Sequence, residues 1–211
     1  MDFTRAREEM VEDQILRRGV RDPALLAAMA LVPREAFVPS ALADEAYEDR
    51  ALPIAEGQTV SQPYIVAAMV EAARLKPGDR VLEVGAGSGY AAAVISRIAG
   101  QVFGIERDDG LTRAARARLQ ALGYGNIELM TGDGSIGWPQ AAPFDAIIVS
   151  AGGLRVPPDL KRQLGEGGRL VMPVGPAHDQ RLLCLTRHGS SFHQDDLGSV
   201  RFVALITQDH T

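Results

Sequence analysis

The sequence predicts an α/β fold: an open, doubly wound, mostly parallel sheet with an N-terminal helical extension and an antiparallel edge hairpin. Three observations predict it. From residue 80 onward, short apolar runs alternate with helix-length segments, as a parallel sheet covered on both faces requires. A glycine-rich turn follows the first of those runs, where an open sheet of this kind receives its ligand. Residues 1–75 lack the alternation and read as helical and irregular.

The elements follow in order. Residues 5–18 carry Met10, Val11, Gln14, Ile15 and Leu16 at helical spacing and stop before Gly19, a C-terminal cap. Asp22 before Pro23 reads as an N-cap followed by proline in the first turn, and Leu25, Leu26 and Met29 supply the apolar face. Val32-Pro33 and Val38-Pro39 then interrupt regular structure, because the residue before proline is pushed toward extended geometry. The expected strands are Val81-Leu82-Glu83-Val84, Val102-Phe103-Gly104-Ile105, Ile127-Glu128-Leu129-Met130, Ala146-Ile147-Ile148-Val149 and Leu170-Val171-Met172. Between them lie expected helices over residues 91–99, 111–122 and 157–164. Residues 182–186 and 200–206 are strand-like with no helix-length insert between them, which predicts an antiparallel hairpin at one edge. The division expected is a cover, residues 1–75, on a ligand-binding core, residues 76–211, the two forming one compact unit.

Composition narrows the class. A chain of 211 residues with 46% hydrophobic and 23% charged side chains suits one globular domain with an extension, not two catalytic domains. The net charge of -5 argues against a surface built to neutralise a phosphate backbone, so no nucleic-acid partner is expected. The one cysteine, Cys184, lies in the apolar run Leu182-Leu183-Cys184-Leu185 and reads as a buried thiol in a reducing compartment. No apolar stretch has membrane-spanning length and the charged start has no signal region, so a cytoplasmic protein without membrane association is expected. His178, His188, His193 and His210 show no metal-ligand spacing, and no metal is expected.

Glu83-Val84-Gly85-Ala86-Gly87-Ser88-Gly89 carries the chemistry. Glycines at Gly85, Gly87 and Gly89 let the backbone turn tightly and approach a ligand, while the helix that follows offers free N–H groups. Glycines alone collect at many strand-to-helix turns, so two further features matter. A dinucleotide fingerprint needs glycine where Tyr90 stands, which disfavours a pyrophosphate and favours a methionine-bearing nucleoside. Glu83 at the strand end places negative charge near a cofactor ammonium group. Glu106 ends the next strand, 21 residues after Gly85 (106 minus 85), near the spacing of about 20 at which an acid reaches ribose hydroxyls. Its other reading is a solvated charge paired with Arg107. Asp133, in Gly132-Asp133-Gly134, suits an adenine amino group or equally a local Asp-Gly turn.

With these in place, much of the chain resembles the protein-L-isoaspartate (D-aspartate) O-methyltransferase family. The resemblance runs through Val32-Pro33-Arg34-Glu35, Phe37-Val38-Pro39 and Ala46-Tyr47 to Gly57-Gln58-Thr59-Val60-Ser61-Gln62-Pro63-Tyr64, its most specific block. It continues through the glycine turn, Ile105-Glu106-Arg107, Gly132-Asp133-Gly134, Gly137-Trp138, Ala142-Pro143-Phe144-Asp145 and Pro173-Val174-Gly175. Departures stand at Ala204, at Ala151-Gly152-Gly153 and in the short reach beyond Ile206, and are expected to bear on substrate affinity rather than on methyl transfer.

The resemblance implies a Rossmann-like class I methyltransferase that uses S-adenosyl-L-methionine and releases S-adenosyl-L-homocysteine. It implies methylation of the carboxylate of isoaspartyl residues in damaged proteins, with D-aspartyl residues as a second substrate class, the first step of repair through a succinimide. It makes Ser61 the active-site residue, with Thr59, Val60 and Gln62 in the same cleft and Arg201 facing a peptide. Ser61 has a second reading as the N-cap of the next helix, and Arg201 as a solvated strand charge. Isoaspartyl proteins and peptides are the implied partners, and a monomer is expected. Three other functions stand beside this one: the same cofactor with another acceptor, a binding module without turnover, and a nicotinamide-dependent dehydrogenase, which Tyr90 disfavours.

Overall fold

A computed structural model describes residues 1–207. The chain starts with α1 (Phe3–Glu9), capped by the Asp2 side chain, and continues helically through Met10–Ile15 and Leu16–Arg18 to Gly19, whose φ of 101° ends it. Met10–Ile15 forms wider turns than an α-helix, which bring Met10 and Ile15, five residues apart, to one buried face. In α2 (Pro23–Leu31) the Asp22 carboxylate accepts from the amides of Ala24 and Leu25, as its cap position predicts. One short tight turn, Arg34–Phe37, sits between the Val-Pro pairs, and a second, Ser40–Glu45, follows them. A small antiparallel ladder joins β1 (Leu52–Pro53) to β2 (Thr59–Val60), pairing Leu52 with Val60, and α3 (Pro63–Ala73) follows.

The main sheet then forms from β3 (Arg80–Val84), β4 (Gln101–Glu106), β5 (Ile127–Thr131), β6 (Phe144–Val149), β7 (Leu164–Val174), β8 (Gln180–His188) and β9 (Ser191–Val200). Helices α4 (Tyr90–Ser96), α5 (Asp109–Ala121) and α6 (Pro158–Gln163) lie between its strands in sequence. Spatial order is β5-β4-β3-β6-β7-β8-β9, parallel from β5 to β7 and antiparallel from β7 to β9. The chain leaves β3 toward β4 on one side and returns to β6 on the other. The carboxyl ends of β3 and β6 therefore flank the switch point where open sheets bind ligands.

Both faces of the central strands β3, β4 and β6 are buried, and residues along them alternate between two cores. Ala146 and Ile148 join Val81, Val102 and Val171 on one face; Ile147 and Val149 join Leu82, Val84 and Leu170 on the other. The first face is covered by Met10, Leu25, Met29, Phe37 and Val66, and the second by Leu160 of α6. Each such side chain contributes about 1.5–3 kcal/mol on burial, so the cover is bound to the sheet by the same force that holds the sheet's own helices.

The edge hairpin exists, but its second strand differs from the expected one. It is Ser191–Val200, largely exposed, while residues 201–207 form no strand beyond a bridge from Ala204 to Gly152. An edge strand open to solvent on both faces needs only backbone pairing, so Phe192-His193-Gln194-Asp195-Asp196 carries no apolar alternation for the sequence to reveal. Residues 201–206, apolar but for Arg201, instead continue beyond β9 as a strap.

Candidate active site

At the end of β3 the chain turns through Gly85, Gly87 and Gly89, with φ of 85°, 52° and 87°, a region that favours glycine. The amides of Gly85 and Ala86 donate to the Ile105 carbonyl at 2.8 and 3.2 Å, tying the turn to the end of β4. Gly87 N–H donates to Glu106 Oε2 at 2.8 Å, and Asp108 N–H to Glu106 Oε1 at 3.1 Å. Glu106 is thus a buried carboxylate fixed by two amides, not a solvated partner of Arg107, and each oxygen keeps a lone pair for a further donor. Glu83 is 1% exposed and its Oε2 has no hydrogen-bond partner. Burial first, and the neighbouring Glu106 charge second, push its carboxyl up to about 8, while the Ala92 amide draws it partly back.

One cavity of about 1130 Å³ opens at this switch point. Glu83, Gly85, Gly87, Glu106 and Gly134 line its sheet side. Gly134 is required by packing: a Cβ there would fall 2.2 Å from Val84 Cγ1. Two of the expected residues stand outside the lining. Gly89 turns the chain against α5, where a Cβ would meet Leu119 Cδ1 at 3.2 Å. The Asp133 Oδ1 accepts from Ser135 N–H and Oγ–H at 2.8 and 2.7 Å, the local turn of its second reading.

β2 and the segment after it form another wall, where Thr59, Val60, Ser61 and Gln62 all line the cavity. Ser61 is not the helix cap: the N-cap of α3 is Gln62, which makes no side-chain cap bond. Pro63 occupies the first turn and lacks an N–H, so the helix needs one cap fewer. Among the described residues the Ser61 hydroxyl carries no hydrogen bond, while its carbonyl accepts from Arg34 at 2.9 Å. The Gln62 amide donates to the Asp49 carbonyl and Oδ1 at 3.1 and 2.7 Å, which pins the segment to the cover.

The strap closes the third side, with Arg201, Val203 and Ile206 on the cavity. Gly152 holds it by accepting from Leu205 N–H at 2.7 Å and donating to the Val203 carbonyl at 2.8 Å. The buried Gln180 side chain grips Phe202 at both backbone groups, accepting from its N–H at 2.7 Å and donating to its carbonyl at 3.3 Å. Arg201 is exposed and is not in a strand. Sequence reasoning missed Arg34, Gln180 and His178, an exposed residue at the cavity; Pro33 beside Arg34 was a turn signal only. His210 lies outside the described residues, and among those described no group of three or more metal-ligating side chains clusters.

The model of the protein-L-isoaspartate(D-aspartate) O-methyltransferase family matches residues 5–210. The chain belongs to this family. Family relatives include a protein-L-isoaspartate O-methyltransferase of Methylorubrum extorquens, 61% identical over 97% of this chain and 90% of its own. Another, from Roseiflexus sp., is 55% identical over 98% of this chain and 94% of its own. A family structure from Plasmodium falciparum, solved in complex with S-adenosyl-L-homocysteine, superposes with a TM-score of 0.82 at 25% identity, covering 95% of this chain and 98% of that one.

The family's methyl donor is S-adenosylmethionine, and the site fits it on its own chemistry. Glu83 Oε2 is a buried acceptor lacking a donor, matched to an ammonium group. Glu106, already oriented by two amides, is matched to vicinal hydroxyls.

Proposed function

We propose that the chain methylates the free carboxylate of L-isoaspartyl residues in damaged proteins, taking the methyl group from S-adenosylmethionine, and that Ser61 receives that carboxylate. The observation that carries this reading is one cavity lined both by Glu83 and Glu106 and by Ser61, whose hydroxyl carries no hydrogen bond among the described residues. When bound, the donor supplies a methyl group on a sulfonium centre. Glu83 and Glu106 hold it by its ammonium and ribose ends, and the exposed backbone of Gly85 and Gly87 admits it closely. Ser61 donates its O–H to one substrate oxygen, leaving the other directed at the methyl group. No base is needed, because a carboxylate is already anionic at neutral pH; orientation and partial loss of water supply the rate.

The strap, with Arg201 at its start, faces the peptide on either side of the isoaspartyl residue. Recognition then rests on one abnormal linkage in a short flexible segment, which suits a monomer acting on many proteins in the cytoplasm. D-aspartyl residues, whose carboxylate is similarly displaced, are the second substrate class of this reading. Residues 1–75 serve as the cover that carries the substrate segment, and residues 76–211 as the donor-binding core.

Labelled methyl transfer to a synthetic isoaspartyl peptide and to its normal aspartyl twin tests the assignment. The isoaspartyl peptide takes up label and the twin does not. Equal labelling of the two would remove the repair function and leave a general carboxyl methyltransferase.

A further inference from the structure

Arg34 is a fully buried cation with no anion beside it. It is 0% exposed, Nε donates to the Ala46 carbonyl at 2.6 Å, and Nη2 donates to the Ser61 carbonyl at 2.9 Å. The guanidinium faces the Tyr90 ring, with Cζ 4.7 Å from its centroid, and Nη1 has no hydrogen-bond partner. No carboxylate pairs with it among the described residues. A guanidinium stripped of water costs several kcal/mol unless paired, and an apolar side chain of similar volume would pack the same space without that cost. The three contacts show what the charge is placed to join: Ala46 in the cover, Ser61 in the substrate segment, and Tyr90, the first residue of α4 after the glycine turn.

We propose that Arg34 is a positioning residue for methyl transfer, fixing the Ser61 backbone at a set distance from the donor-binding turn. The proposal rests on the reading of Ser61 given above. The planar fork is suited to this: two N–H groups reach two carbonyls at a fixed angle while the flat face lies on the ring. Lysine keeps the charge but has no fork, and methionine keeps neither. Arg34 does not line the cavity, so its effect passes through Ser61 and Tyr90 rather than through contact with either reactant.

The test compares R34K, R34M, S61A and the S61A/R34M double variant by kcat and KM on an isoaspartyl peptide, S-adenosylhomocysteine affinity by calorimetry, and thermal melting. R34M lowers kcat about tenfold or more, the scale of one lost hydrogen bond to a charged group, while S-adenosylhomocysteine affinity stays within about threefold. R34K recovers part of the loss. In the S61A background R34M adds little, because residues acting through one contact are not additive. A folded R34M with unchanged kcat, or losses that multiply in the double variant, overturns the proposal. If R34M does not fold, R34K decides: a folded R34K with wild-type kcat overturns it equally. Wild-type turnover by S61A alone overturns the Ser61 reading, and with it the role of Arg34, whereas a slow S61A beside a normal R34M or R34K removes only the Arg34 proposal.

Discussion

On the reading proposed above, Ser61 and Glu83 divide the labour of the cavity they both line, and each has its own signature on substitution. Ser61→Ala removes one donor to an anionic oxygen, a loss of about 1.5–3 kcal/mol. Turnover accordingly falls roughly 10- to 150-fold, while S-adenosylhomocysteine affinity, read by calorimetry, is nearly unchanged. Glu83 acts through its proton. Its carboxyl is raised from 4.5 to about 8, so near pH 7 the cofactor-free protein keeps it neutral, whereas an ammonium ligand requires it charged. Ligand affinity therefore rises with pH, by roughly tenfold per unit at most between pH 6 and 8, and levels off above about 8. Without ligand the sign reverses. The folded state holds a proton that the unfolded chain has released, so stability is fully present below pH 4.5, declines as pH rises, and is lost above about 8. Glu83→Gln flattens both profiles; chemical denaturation across this range and calorimetry at matched pH check the two halves. The turn at Gly85 was legible in the sequence because a tight turn with positive φ admits few residue types. Arg34 was not, because its partners are backbone carbonyls 12 and 27 residues away, and a carbonyl carries no residue identity.

At the scale of elements, the strap and the segment carrying Ser61 both line the cavity at the end of the sheet. Gln180→Ala frees the N–H and carbonyl of Phe202 together, at about 1–3 kcal/mol for buried groups left without partners. The expected result is a several-fold higher KM for isoaspartyl peptide, with S-adenosylhomocysteine affinity retained, in steady-state kinetics beside calorimetry. On the other wall, Gly134→Ala drives a Cβ into Val84, and overpacking of this kind costs about 1–3 kcal/mol. A lowered melting temperature with weakened ligand binding checks it. The central strands β3, β4 and β6 are readable as apolar runs because both of their faces are covered. The strap was misread as a strand for the converse reason. Phe202, Val203, Leu205 and Ile206 are apolar and line the cavity, and period alone does not separate a cavity wall from a buried sheet.

For the whole molecule, the cover and the sheet share one core. Met29, fully buried in the cover, packs in the same cluster as Val81 and Ile148 of the sheet. Met29→Ala costs about 2–5 kcal/mol, and its thermal unfolding, followed by calorimetry, remains a single transition at lower temperature, because the cover has no separate core. Two resolved transitions would make residues 1–75 an independent unit. The sequence assigned those residues to a cover from their proline-broken pattern but left open which face they protect. They pack, α3 among them, on the sheet face that bears Val81, Ala146 and Ile148, and Ser61 stands just before the amino end of α3 at the cavity. The central claim is that donor and acceptor meet in this one cavity, between the glycine turn and Ser61. A crystal structure with S-adenosylhomocysteine and an isoaspartyl peptide tests it most directly. It is expected to show the ligand ammonium at Glu83 and the peptide carboxylate accepting from the Ser61 hydroxyl. A carboxylate seated elsewhere, with Ser61 turned from it, would contradict the account.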